Sequence, residues 1–103
     1  MSHQVAQTIL NQMGGNRIGA FIGVKNFVAF PDALQVRFTA KAANGANMLK
    51  VTLTPNDTYK MEFIRARKSR GVDTFKAIDT YDEVYATQLV AIFERLTGLY
   101  LSF

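Results

Sequence analysis

Three consecutive stretches of this chain alternate apolar and polar residues with a period of two. Leu34, Val36 and Phe38 alternate with Gln35, Arg37 and Thr39. Leu49, Val51 and Leu53 alternate with Lys50, Thr52 and Thr54, and Tyr59, Met61 and Phe63 with Lys60, Glu62 and Ile64. Successive side chains of a strand point to opposite faces, so each stretch reads as a strand with one buried face. Such strands in series predict an antiparallel sheet, one side on a core and the other toward water. The intervening segments fit. Pro31-Asp32 and Pro55-Asn56-Asp57 are turn signals, the second short enough to make a hairpin, and Lys41–Asn47 is polar or small throughout.

The flanks are less regular. Arg17 to Phe30 is rich in Phe, Ile and Val but punctuated by Gly19 and Gly23, which predicts one or two short strands with Lys25-Asn26 as a turn. After a loop at Arg67–Gly71, a weaker strand runs over about Val72–Ile78. Phe75 and Ala77 lie on one side of it; Val72, Thr74 and Ile78 lie on the other. Ser2–Met13 reads as a short amphipathic helix with Val5, Ile9, Leu10 and Met13 on one face, capped by Ser2 and stopped by Gly14-Gly15. A second helix is predicted from Asp79 onward. Thr80 and Glu83 have the spacing of a capping box, Asp82 and Glu83 suit the positive end of the dipole, and Tyr85, Leu89, Ile92, Phe93 and Leu96 form an apolar stripe. Gly98 supplies the stop. The expectation is one α+β domain over residues 1–103: an N-terminal helix, an antiparallel meander of four or five strands, and a C-terminal helix, with both helices on one face of the sheet.

The composition narrows the chemistry. There is no Cys, which excludes disulfides and thiolate metal sites and fits a reducing cytoplasm. No signal-peptide pattern and no apolar run long enough to span a bilayer is expected here. The one histidine is His3, so a zinc site or a Ser-His-Asp constellation has little to build on. The carboxylates Asp79, Asp82 and Glu83 are explained as helix-start residues, and Asp32 and Asp57 as turn residues. No glycine-rich phosphate loop precedes a helix. The expectation is a protein that is not an enzyme and needs no metal or cofactor.

The charge is the distinctive feature. Residues 1–72 hold ten cations against three acids, and residues 73–103 hold two against five, so +7 and −3 give the net +4. Arg65, Arg67, Lys68 and Arg70 are four cations in six residues and must present a solvated positive patch at one edge of the sheet. Arg37, Lys50 and Lys60 are predicted on the solvent face. Together these seven residues are the candidate partner-binding surface. Three readings apply: phosphate-backbone contact, docking to an acidic protein, or edge cations that only oppose aggregation. A protein partner is preferred because no aromatics interleave with the basic residues on the solvent face, as a stacking platform would require. Nucleic acid is the alternative, and no membrane partner is expected. The apolar tail Leu99–Phe103 alternates Leu99, Leu101 and Phe103, which suits docking as an extra edge strand or a homodimer contact.

Several segments resemble a group of small uncharacterised proteins encoded by phages and prophages. They are Leu10-Asn11-Gln12-Met13-Gly14-Gly15-Asn16-Arg17, Lys25-Asn26-Phe27, Tyr85-Ala86 with Leu89, and Thr97-Gly98-Leu99-Tyr100. The resemblance implies a viral or mobile-element origin and a bacterial cytoplasm, and it brings no active-site residues. By context it implies a small accessory protein that binds and blocks a host factor, including a defence nuclease.

Overall fold

The structure, a computed structural model, describes residues 4–13, 23–39 and 41–99. The chain forms α1 (Gln4–Gln12), β1 (Val24–Phe30), β2 (Ala33–Phe38), β3 (Met48–Leu53), β4 (Tyr59–Ser69), β5 (Val72–Val84), a short 3₁₀ turn (Ala86–Gln88) and α2 (Leu89–Thr97). The five strands form one antiparallel sheet in the order β1-β2-β3-β4-β5. This is the expected α+β meander with a helix at either end. Ser2, His3, Gly14-Gly15, Arg17, Gly19 and the tail from Tyr100 to Phe103 lie outside the described residues. The helix cap, the helix stop and the dimer contact expected there fall outside with them.

The alternation does set the register. Leu34, Val51 and Met61 lie in one cross-strand row, and Val36, Leu49 and Phe63 in the next. All six are buried, on the face that receives Ala6 and Ile9 of α1 and Leu89 and Phe93 of α2. The two helices cover the same face of the sheet. Phe93 sits at its centre, its ring 5.8 Å from Phe38 edge to face and 6.3 Å from Phe63 in a stacked arrangement. Leu53, Ile92 and Leu96, expected in the core, are only partly buried at its margin, and Leu99 joins them there. The opposite face is not purely polar. Ala33, Met48 and Ala66 are buried on it, and the Lys50 ammonium lies 4.7 Å from the centre of the Phe30 ring.

Three local expectations are corrected. Lys25-Asn26 is not a turn. It lies inside β1, where the register shifts between Val24 and Asn26, so the segment bends as a β-bulge while pairing with β2 continues. Arg67–Gly71 is not a loop. β4 runs to Ser69 and the chain reverses over Arg70-Gly71 alone. Asp79–Val84 is strand, not helix, because β5 stays paired with β4 as far as Tyr59↔Val84. The helix therefore starts late. Tyr85 is extended, and its N–H donates to Gln88 Oε1 at 3.0 Å, the return bond of a capping box displaced along the chain. Tyr85 is 60% exposed and takes no part in the apolar stripe. The stop is as expected: Gly98 has φ 71°, and its N–H donates to Glu94 O.

Phe93→Ala removes the ring that both helix-side aromatics touch and should cost about 3–5 kcal/mol in a urea melt. Tyr85→Ala, outside the helix, should stay within about 0.5 kcal/mol of the parent. Equal effects of the two would mean that the helix face has been misassigned.

Candidate functional site

β3 accompanies β4 only as far as Ile64, opposite Met48. Beyond that point, among the described residues, β4 and β5 continue as a two-stranded ribbon, with pairs Ala66↔Phe75, Arg67↔Thr74, Lys68↔Asp73 and Ser69↔Val72. The outer side of the ribbon base is closed by a side chain. Asn47 Nδ2 donates to Ala66 O at 2.8 Å, and Ala66 N–H donates to Asn47 Oδ1 at 2.7 Å. This carboxamide imitates one more residue pair of a ladder. It satisfies backbone groups that the end of β3 would leave open.

The ribbon turns over Arg70 (φ 54°) and Gly71 (φ 79°), both left-handed. Two left-handed residues make the tight turn whose twist matches a hairpin. Gly71 takes that conformation freely. Arg70 is an unusual occupant, since a residue with a Cβ pays roughly 1–2 kcal/mol there and Asn, Asp or Gly is the common choice.

Residues 65–76 hold five cations, Arg65, Arg67, Lys68, Arg70 and Lys76, and one acid, Asp73. Their net +4 equals the formal charge of the whole chain. Strand alternation sorts them. Arg65 and Arg67 follow Phe63 on the helix side of the sheet, with Lys76 directly opposite Arg65. Lys68 lies on the other face opposite Asp73, and Arg70 is at the tip. Like charges directly across a strand pair repel, so Arg65 opposite Lys76 is a local cost. The loop Lys41–Asn47 lies against this pair. Gly45 O accepts from Arg65 Nη1 at 2.8 Å, while Asn44 Nδ2 donates to Asp79 Oδ2 at 3.2 Å. A cleft of about 470 Å³ at the end of the sheet is lined by Arg37, Lys41 and Arg65 with Asn47, and a neighbouring one of about 520 Å³ by Arg65 and Lys76. Among the described residues no carboxylate lines either cleft.

The seven residues read from the sequence as one surface are therefore split. Arg65, Arg67, Lys68 and Arg70 belong to the ribbon, and Arg37 reaches the cleft at its base beside Arg65. Lys50 shares the helix-free face with Arg37 and Lys68 but lies within the sheet body, occupied with Phe30 and opposite Glu62. Lys60 is at the far end of β4, eight residues from Lys68, or about 26 Å along the strand. Lys41 and Lys76 were missed. Reading Arg70-Gly71 as a two-residue turn would have found Lys76, because such a turn sets residue 65 against residue 76. The expected lack of an aromatic among the cations is also corrected. Phe75 is on the ribbon, 59% exposed, with Val72 61% exposed nearby.

Asn47→Ala should cost about 1–3 kcal/mol, since it strands part-buried backbone groups of Ala66, and amide exchange at Ala66 should quicken. Unchanged exchange at Ala66 would show that the carboxamide does not hold the ribbon base. With the geometry in place, the comparisons add no relative: no family model matches this chain, and no curated protein or solved structure shows significant similarity to it.

Proposed function

We propose that this protein works by binding rather than by catalysis, as a small phage-type accessory protein of the bacterial cytoplasm. Its contact element is the β4–β5 ribbon, together with the cationic cleft at its base, and its partner is nucleic acid. The observation that carries this reading is a projecting two-stranded ribbon with five cations, Arg65, Arg67 and Lys76 on one face, Lys68 on the other and Arg70 at the tip, and with the exposed Phe75 on the face of Lys68. Cations displace counterions from a phosphate backbone, and an aromatic beside them adds contact to bases that a solubilising patch does not need. The Arg65–Lys76 opposition, eased only by the Gly45 carbonyl, is repulsive in the free protein and becomes favourable when a phosphate lies between the two side chains.

An acidic protein surface, the partner preferred from the sequence, has one observation in its favour. Among the described residues β5 pairs only with β4, so its outer edge can take a partner's strand. A defence factor of the host is the kind of protein such an accessory would block.

Binding to a fluorescent oligonucleotide should weaken steeply with salt, with a slope reflecting roughly three to five phosphate contacts. Arg65→Ala and Arg67→Ala should each lower that slope by about one. Affinity capture from host lysate, with and without nuclease, separates the partners. Capture abolished by nuclease supports nucleic acid. A specific protein kept after nuclease, and lost from a variant with Arg65, Arg67, Lys68 and Arg70 all changed to Ala, supports the protein reading instead.

A further inference from the structure

The ribbon tip joins two features that make little sense separately. Arg70 occupies a left-handed position, φ 54°, where Asn or Gly would be more comfortable, and it stands at the point of the chain that projects furthest from the sheet along β4 and β5. Backbone strain kept at an exposed tip points to a use for the side chain that the strain holds in place. Behind the tip the ribbon is two strands wide, with no further strand among the described residues beside Ala66–Ser69 and Val72–Phe75. That free length is about 13 Å.

These dimensions select among nucleic acids. The major groove of B-form DNA is about 12 Å wide and about 8.5 Å deep, and it admits a two-stranded ribbon. The minor groove, about 6 Å wide, does not. The major groove of A-form RNA is too narrow and deep for side chains to read. A single strand has no walls to use a ribbon that bears cations on both faces. A groove has two phosphate walls. Arg67 on one face of the ribbon and Lys68 on the other can each meet one, with Arg65 and Lys76 at the mouth. Asp73, opposite Lys68, is the one acid in the ribbon and weakens that face. Phe75 shares that face and offers an apolar contact of the kind that thymine methyl groups accept.

We propose that the β4–β5 ribbon enters the major groove of double-stranded B-form DNA tip first, with Arg70 as the leading side chain directed at base edges. This rests on the nucleic-acid reading above and narrows it to one form and one groove. An arginine at that point has the donor fork that guanine O6 and N7 accept.

The test measures binding of the full chain to a duplex DNA, its single strand and a double-stranded RNA of the same sequence, at one salt concentration. The duplex DNA should bind at least roughly tenfold more tightly than the other two, and guanine N7 in the duplex should be protected from methylation by dimethyl sulfate. Arg70→Asn keeps the left-handed turn and removes the cation. It should lower duplex affinity by roughly 5- to 100-fold while the melting temperature stays level or rises. Equal affinity for single strand or RNA, protection confined to the minor groove, or an Arg70→Asn variant that binds DNA like the parent would each overturn the inference and leave the broader nucleic-acid reading standing. Failure to bind any of the three would remove both.

Discussion

The pairing of β4 with β5 governs most of this molecule. β4 lies between two strands over Tyr59–Ile64 and has β5 alone, with Asn47, beyond it. Its first half carries Tyr59, Met61 and Phe63 into the core, so its backbone groups there are away from water and need partners on both sides. Among the described residues β5 supplies those on the outer side. Several ladder hydrogen bonds at about 0.5–1.5 kcal/mol each outweigh a helix cap of about 0.5–2 kcal/mol. The segment Asp79–Val84, whose local signals favour a helix start, is held extended for this reason. Two register shifts, between Tyr59 and Met61 and between Phe63 and Ile64, absorb the mismatch between the two strands.

The same pairing produces an electrostatic imbalance and then contains it. Five cations on twelve residues would favour a solvated, unstructured segment if each were free to choose. A two-residue turn and the ladder fix them in alternating directions instead, which spreads four of them over two faces and the fifth onto the tip. What remains is the Arg65–Lys76 opposition, eased by the carbonyl of Gly45 but not neutralised. The cost of gathering these charges is met by folding, which is the preorganisation that the proposed anionic partner would use.

The loop Lys41–Asn47 ties the ribbon to the rest of the fold. Ala43 N–H donates to Thr97 O at the end of α2, Asn44 reaches Asp79 of β5, Gly45 holds Arg65, and Asn47 closes on Ala66. α2 is in turn fixed by Phe93 between Phe38 and Phe63. The hydrophobic centre and the base of the ribbon are thus joined by one short segment of fixed conformation. The cleft beside Arg37, Lys41 and Arg65 is shaped by that segment.

The sequence by itself determined the strands of the sheet body and their facing. Period-2 alternation in Leu34–Thr39, Leu49–Thr54 and Tyr59–Ile64 is a local signal, and burial of one face leaves a single register. The stripe of Leu89 and Phe93 and the stop at Gly98 were legible for the same reason, as were the basic residues from Arg65 to Arg70. Tertiary structure alone decided how far β5 extends, because that depends on what β4 requires and not on the propensities of Asp79–Val84. It also decided which cations meet. Arg37 and Lys41 precede Arg65 and Lys76 by at least 24 residues and join them at the ribbon base only through the meander, while Lys60 is carried away by the length of the strand it shares with Arg65. Charge can be counted along a chain, but its field depends on folded distances, and those are set by the register of strands that hold the charges.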